Sequence, residues 1–187
     1  MNPHFIFNSL ASIQNLIFKK DEMKAGMYLS QFSELVRNIL QHSVKELIPL
    51  EEEIATIRNY LELQKVRYQD KFDYTIELAD DIDPEEIEIP PMLAQPFIEN
   101  SIEHGIIPKD TKGHIDVKFM LEKDVIHVEV EDDGIGFKAS SEMKKKSSKD
   151  HKSLAMTITK DRLMMICKKY KKEYTFDSSD ILDAENN

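Results

Sequence analysis

The first residue whose side chain could take part in a reaction is a histidine near the start of the chain, in the stretch NPHFIFNSL at residues 2–10. Helical spacing places apolar side chains on one face, namely Ile6, Leu10, Ile13 and Ile17. His4 and Asn8 fall on the opposite face. With Asn2 as N-cap and Pro3 as the first helical residue, unpaired backbone N–H groups near His4 favour an anion and a neutral imidazole. These conditions suit a nucleophile that accepts a phosphoryl group, although a plain surface histidine is the commoner explanation of such a stretch.

A second polar group lies in the stretch PPMLAQPFIENSIEHGI, which is apolar at helical spacing. Glu99, Asn100 and Glu103 interrupt its apolar character. An amide or carboxylate oxygen at these positions could coordinate Mg²⁺, a hard cation that prefers oxygen ligands and binds together with phosphates. A solvated helix face produces the same pattern, so this stretch alone leaves both interpretations open.

A third group follows an alternating segment, in the stretch VEDDGIGF. Asp132 comes directly after the segment, and Gly134 and Gly136 allow the backbone to turn and to approach a ligand closely. A carboxylate at such a strand end can accept a hydrogen bond from an exocyclic amine such as that of adenine. An ordinary turn explains the three residues equally well.

Composition narrows the class of protein. The 187 residues carry a formal net charge of -10, which argues against a nucleic-acid partner because phosphate contacts need a concentrated basic face. Cys167, the single cysteine, is expected to be a buried small apolar residue, and no disulfide framework or cysteine metal site is expected. No apolar window is long enough to span a bilayer and no signal peptide precedes Asn2, so we expect a cytoplasmic chain whose only membrane attachment comes from segments upstream.

Three helices are predicted over residues 4–68, with breaks near residues 19–22 and at KELIP. The apolar stripes of the second and third helices are Leu29, Phe32, Val36 and Ile39, then Leu50, Ile54, Ile57 and Leu61. Three successive glutamates occupy the first turn of the third helix, namely Glu51, Glu52 and Glu53. A solvated acidic helix start, where negative charge offsets the helix dipole, is enough to explain them.

The remainder of the chain predicts a mixture of strands and helices. FDYTIEL alternates, and HIDVKFML and VIHVEVE form a hairpin around EKD, with His114 and His127 on strand faces. The helix through PPMLAQPFIENSIEHGI is expected to end at Gly105, residues 138–152 to form a loop, LAMTITKDRLMMICKKY a helix and EYTFD a short strand. The expected fold class is therefore α+β, with a helical module at residues 1–69 and an α/β module at residues 70–187.

Four stretches together resemble one family: NPHFIFNSL, IPLEEEI followed by NYLELQKVRY, PPMLAQPFIENSIEHGI, and EDDGIGF have the order and spacing of LytS-type sensor histidine kinases. The resemblance covers almost the whole chain. It implies a helical dimerisation and histidine-phosphotransfer region joined to an ATP-binding domain of the GHKL superfamily, an α/β sandwich with a mixed sheet.

The resemblance also implies roles for individual residues. His4 matches the phosphoacceptor, and Asn8, one helical turn further on, matches an asparagine of the family. Asn100 matches the asparagine that coordinates Mg²⁺, and Glu99 is a candidate base or orienting group for His4. The implied nucleotide-binding residues are Asn100, His104, Gly105, Asp132, Gly134, Gly136, Ser153 and Leu154, with Asp132 as the adenine-reading carboxylate.

Two features depart from the family pattern. The second glycine box reads SLAM, with Ser153 and Ala155 in place of glycines, although Ser153 could still direct the N–H groups of the following helix toward phosphate. Residues 137–152 would form the ATP lid, whose lysine run either approaches phosphate or is simply solvated. The final stretch DSSDILDAENN does not look like the glycine-containing hairpin of the family, so a truncated domain is expected.

The function implied is transfer of the γ-phosphoryl group of ATP to His4, with Mg²⁺, and then to an aspartate of a response regulator, by a homodimer that associates through its N-terminal helices. Related ATPases activate water with a glutamate one turn before the asparagine; Pro96 occupies that position and cannot act as a base. The alternative is a non-enzymatic, nucleotide-sensing dimerisation module that signals by conformation, an interpretation that Ser153, Ala155 and the short C-terminus favour.

Overall fold

The computed structural model describes residues 3–123, 125–136 and 152–170, with residues 175 and 179 as isolated positions. The helices are α1 (Pro3–Phe18), α2 (Glu22–Ser43), α3 (Leu50–Arg67), α4 (Gln95–Asn100), a π-helix (Ser101–Ile106) and α5 (Lys152–Tyr170). The strands are β1 (Ile48–Pro49), β2 (Phe72–Leu78), β3 (Glu88–Ile89), β4 (Gly113–Glu122) and β5 (Val125–Asp132). This mixture of helices and a mixed sheet confirms the expected α+β class.

The three N-terminal helices are confirmed, but the inward face of α1 was predicted wrongly. Phe5, Ser9 and Ile13 are buried, whereas Leu10 and Ile17 are exposed. The reason is that α1 packs against both α2 and α3, with the ring of Phe5 on those of Phe32 and Tyr60. Because the buried Ser9 is polar, the apolar pattern alone indicated a neighbouring face of the helix. Leu29 of the second predicted stripe is likewise exposed.

The main sheet has three strands in the order β2-β4-β5. β2 pairs with β4 in parallel, from Phe72 opposite Gly113, and β4 pairs with β5 in antiparallel register, from Glu122 opposite Val125 to Ile115 opposite Asp132. The predicted hairpin is thereby confirmed. Alternate residues of β4 are buried, so one face of the sheet joins the hydrophobic core and the other faces solvent.

The helix before β4 is shorter than predicted and continues in another geometry. α4 begins at Gln95, because the preceding residues 91–94 form turns in which Met92 has a positive φ of 59°. After Asn100 the chain passes into the π-helix, which ends at Ile106, one residue beyond the expected stop. A two-stranded antiparallel pair, β1 with β3, was not predicted, because two residues are too few to show an alternating pattern.

α3 lies at the centre of the packing. It contacts α1 and α2 as well as β1, β2 and β3, and buried residues from α1 to β4 form a single hydrophobic cluster. The chain changes from helix to strand between Arg67 and Phe72, as expected, and the division into domains at residues 1–69 and 70–187 stays a prediction.

In the last part of the chain the structure describes α5, which contacts α4. Cys167 in this helix is half-buried rather than fully buried. The lid was expected at residues 137–152, but Lys152 is the first residue of α5, and residues 137–151 lie outside the described residues. The expected strand EYTFD also lies outside them, except for residue 175. Among the helices that are described, none has the length and apolar character needed to cross a membrane.

Candidate functional site

His4 lies in the first turn of α1, and its side chain lies outside the described part of the structure. The start of this helix is anchored by Phe5, whose ring centroid is 5.2 Å from that of Tyr60 in α3. Asn8 is half-buried one turn further on, and its backbone carbonyl accepts a hydrogen bond from Ser12 Oγ at 3.0 Å. The N-cap proposed at Asn2 lies outside the described residues.

Glu99 and Asn100 form the end of α4, and both are half-buried. Burial raises the pKa of the Glu99 carboxyl; the hydrogen bond that Gln95 Nε2 donates to Glu99 Oε1 at 3.0 Å lowers it, and the charge of Glu103 raises it further. A carboxyl whose pKa is moved toward neutrality is better suited to exchange a proton at physiological pH.

Tyr60 connects α1 to α4 through α3. Its ring packs on Phe5, and its hydroxyl accepts a hydrogen bond from Gln64 Nε2 at 2.6 Å. Burial raises the pKa of Tyr60 well above its usual value, and the nearby charge of Glu99 raises it further. Tyr60 contacts the residue after His4 and lines a small pocket together with Gln95 and Ile98, so the start of α1 and part of α4 lie near the same part of α3.

Three of the predicted nucleotide-site residues meet in the structure. Gly105 in the π-helix and Gly134 after β5 are in close contact, and a Cβ on Gly134 would collide with the backbone of Gly105. A Cβ on Gly105 would collide with the carboxylate of Asp132. The N–H of Ile135 donates to the carbonyl of Gly105 at 3.1 Å, and that of Gly134 donates to Asp132 Oδ1 at 3.0 Å. Two glycines therefore hold an exposed carboxylate at the end of the π-helix.

The other predicted nucleotide-binding residues lie in several elements of the chain. Gly136 follows with a φ of 75°, a conformation that favours glycine, and His104 is half-buried in the π-helix. Ser153 and Leu154 lie in the first turn of α5, and their side chains lie outside the described part of the structure.

The loop between the π-helix and β4 is fixed by Asp133, a residue that sequence reasoning missed. Its Oδ1 accepts from the N–H of His114 at 2.7 Å, and Lys109 Nζ lies 2.9 Å from its Oδ2. Partial burial works to raise the pKa of Asp133, but the His114 N–H and Lys109 together hold it below the usual value. Asp133 therefore braces the loop next to Asp132.

Glu53 corrects the interpretation of the three glutamates as a solvated helix start. Only 1% of its surface is exposed, and its carboxylate accepts hydrogen bonds from the N–H groups of Met92 at 2.9 Å and Leu93 at 3.0 Å. Burial raises the pKa of Glu53, while these N–H groups, that of Ala94 and the charge of Arg162 lower it in part. The apolar spacing contained the signal, because Glu53 is three residues after Leu50 on the inward face of α3.

Arg162 of α5 binds the same turn. Its Nη1 donates to the carbonyl of Pro91 at 3.0 Å and its Nη2 to that of Lys45 at 3.2 Å. At the end of α5, Lys169 Nζ donates to Glu46 Oε2 at 2.6 Å. α5 is thus hydrogen-bonded both to the turn that precedes α4 and to the connection between α2 and β1.

Comparison with known proteins supports one class of protein. The model of the histidine kinase family matches residues 1–72. The chain is similar to sensor histidine kinases. It is 34% identical to the sensor protein LytS of Oceanobacillus iheyensis over 137 residues. The aligned region covers 73% of this chain and 23% of that protein.

Two proteins of Bacillus subtilis show the same range of similarity. Its sensor protein LytS is 35% identical over 136 residues, covering 73% of this chain and 22% of that protein. Its sensor histidine kinase YesM is 27% identical over 136 residues, covering 73% of this chain and 23% of that protein. The chain thus spans under a quarter of the length of these relatives, and the matches support a two-component sensor kinase.

Proposed function

We propose that the chain is the phosphotransfer and ATP-binding part of a sensor histidine kinase, with His4 as the phosphoacceptor and residues 70–187 as a GHKL-type domain. The observation that most supports this proposal is the close contact of Gly105, Asp132 and Gly134. It leaves the carboxylate of Asp132 exposed beside two glycines. Its partner in signalling is the receiver domain of a response regulator, which takes the phosphoryl group onto an aspartate.

The residues present fit ATP and magnesium. The exposed Asp132 carboxylate can accept a hydrogen bond from the exocyclic amine of adenine, and any Cβ on Gly105 would displace it. Asn100 offers an amide oxygen at the end of α4, beside the carboxylate of Glu99, and hard cations prefer such oxygen ligands. Magnesium held by Asn100 would supply charge neutralisation on the phosphate oxygens.

The chain's own part in the reaction is to position the nucleophile and to accept the proton that the imidazole loses after transfer. A lone pair of a neutral His4 ring nitrogen forms the N–P bond as the bond from the γ-phosphorus to the ADP oxygen breaks. The proton on the other ring nitrogen is lost after transfer, and Glu99 is the proposed acceptor because its raised pKa suits proton exchange. His4 must be neutral to attack, so the rate falls below a pH of about 6.5, the usual pKa of histidine.

The proposal is tested by incubating the chain with magnesium and ATP and measuring its intact mass and the acid lability of any phosphate. We expect one acid-labile phosphate per chain, absent from His4→Gln and retained in Asn8→Gln at a lower rate. Phosphohistidine in the His4→Gln variant, or ATP turnover that does not depend on His4, would contradict the proposed chemistry.

Nucleotide binding without phosphate transfer would instead support the non-enzymatic alternative. ATP affinity is therefore measured in parallel by titration, with Asp132→Asn and Asn100→Ala. Asp132→Asn is expected to weaken ATP binding with or without magnesium, because the amide offers the adenine amine only one acceptor oxygen. Asn100→Ala is expected to weaken binding only when magnesium is present.

A further inference from the structure

Glu53 is the only acidic side chain that is fully buried among the described residues. Its two carboxylate oxygens are divided between two backbone N–H groups, with Met92 on Oε2 at 2.9 Å and Leu93 on Oε1 at 3.0 Å. These groups belong to the turn that leads into α4 and lie 39 and 40 residues further along the chain. A buried carboxylate bound in this way is costly unless both oxygens keep their partners.

The turn that Glu53 binds is strained. Met92 has a φ of 59°, which is rare for a residue with a branched or long side chain, and such a conformation persists only where its surroundings hold it. Glu53 accepts from the N–H groups of Met92 and Leu93, and Arg162 donates to the carbonyl of Pro91 at 3.0 Å. The place where α4 begins is therefore set by these side chains.

The same face of α3 that carries Glu53 also carries Tyr60, seven residues or two turns further on. A small pocket between α3 and the α4 segment joins the two, and its other lining residues are Thr56, Ile57, Met92, Gln95 and Ile98. Tyr60 packs on Phe5, the neighbour of His4 in the sequence. One face of α3 thus supports both the start of α1 and the start of α4.

From this arrangement we infer that Glu53 is a positioning residue for phosphoryl transfer to His4, an inference that rests on the proposed function. The hydrogen bonds described for its carboxylate come from backbone N–H groups of the turn before α4, so it acts by fixing α4, with Glu99 and Asn100, relative to α1. The contact of Gly105 with Asp132 and Gly134 has its own hydrogen bonds and does not involve Glu53. Loss of the Glu53 carboxylate therefore slows the transfer step more than it weakens the binding of ATP.

The test is the time course of His4 phosphorylation at saturating magnesium and ATP for the wild-type chain, Glu53→Gln, Glu53→Asp and Glu51→Gln. In Glu53→Gln one oxygen becomes an NH₂ group that faces a backbone N–H, so one hydrogen bond is lost. We expect its first-order rate constant to fall at least about tenfold, since small misplacements of reacting groups have effects of this size or more. The amplitude is expected to stay within about twofold of wild type. The ATP concentration at half-saturation is expected to change less than the rate constant, because the contact of Gly105 with Asp132 and Gly134 does not involve Glu53.

The two other variants separate positioning from folding. Glu53→Asp keeps the carboxylate on a shorter stem and is expected to show an intermediate rate constant at full amplitude, which also serves if Glu53→Gln does not fold. Glu51→Gln, an exposed glutamate in the same helical turn, is expected to match wild type.

Each contrary result has a distinct meaning. A reduced amplitude with an unchanged rate constant in both Glu53 variants would show that Glu53 only stabilises the fold, and wild-type kinetics would show that it has no role; both overturn the inference. A wild-type chain that gains no phosphate on His4 overturns the proposed function, and this inference with it.

Discussion

At the scale of single residues, the contact between Gly105 and Gly134 allows no side chain. In Gly134→Ala the new Cβ would collide with the backbone of Gly105 and with the carboxylate of Asp132. We expect the free energy of unfolding to fall by about 1–3 kcal/mol, the usual cost of overpacking. ATP binding is expected to weaken as well, because Asp132 is displaced. Urea unfolding and ATP titration of the variant measure the two effects.

Gly26 provides the matched control for this glycine substitution. It is exposed within α2, and a Cβ built on it meets nothing within 4 Å. Gly26→Ala is expected to raise the free energy of unfolding by about 0.5–1 kcal/mol, as in an ordinary helix interior. A loss of stability in Gly26→Ala, or none in Gly134→Ala, would contradict the close contact between Gly134 and the backbone of Gly105.

Glu99 gives a prediction about pH. Burial raises the pKa of its carboxyl, so the folded chain binds this proton more tightly than the unfolded chain does. Its contribution to stability is therefore largest at low pH and is lost as the pH rises from the usual glutamate value through the raised folded pKa. Glu99→Gln is expected to remove that loss, so that the variant exceeds wild type in stability at neutral pH and matches it in acid.

Urea unfolding midpoints between pH 4 and pH 8 measure the difference between wild type and Glu99→Gln. Glu51→Gln is the control and is expected to leave the pH dependence of the midpoint unchanged. A Glu99→Gln variant that is more stable yet slower in phosphorylation would fit a carboxyl kept for proton transfer at some cost in stability. Lower stability at neutral pH would argue instead that the Gln95 hydrogen bond outweighs the burial.

The limits of sequence reasoning are clearest at Glu53. Glu51 and Glu53 have the same residue type, and only their position around the helix distinguishes them. Glu53 lies three residues after Leu50 and four before Ile57, which places it on the apolar face, so its burial was open to prediction. Its partners were not, because Met92 and Leu93 are about 40 residues away and their backbone geometry is fixed by tertiary contacts.

At the scale of elements, the strands were predicted well because their patterns are complete. β2, β4 and β5 alternate over seven or more residues, and the turn between β4 and β5 is short. The inward face of α1 was predicted wrongly because Ser9 occupies a buried position among apolar residues. The π-helix after Asn100, which packs against β4 and β5, has no comparable signal in the sequence.

The β4–β5 hairpin carries Asp132 at its end. Its contribution to the hydrophobic core can be measured by substituting two valines that differ in burial. Val117 is fully buried in β4, whereas Val125 at the start of β5 is 53% exposed. Val117→Ala is expected to lower the free energy of unfolding by about 2 kcal/mol through lost burial. Val125→Ala controls for strand propensity and is expected to cost well under half of that. Equal losses in urea unfolding of the two variants would place the core elsewhere.

At the scale of the whole molecule, α1 and α2 leave apolar side chains in contact with solvent. On α1 these are Phe7, Leu10, Ile17 and Phe18, and on α2 they are Met23, Met27, Leu29 and Leu40. Helical spacing places the four residues of α1 within one side of that helix. Contiguous exposed apolar surface of this kind is typical of an interface, which favours the proposed homodimer of N-terminal helices.

The dimer is tested by sedimentation equilibrium over a range of protein concentrations. The wild-type chain is expected to sediment as a dimer, and a double variant Leu10→Gln with Ile17→Gln to dissociate at concentrations where wild type does not, because each glutamine adds a polar group to the buried surface. Val125→Gln, an equally exposed apolar position on the hairpin, is expected to leave the mass unchanged. A monomeric wild-type chain would leave the exposed face of α1 without this function. It would also favour phosphorylation of His4 within one chain, in which α3 contacts both α1 and the turn before α4.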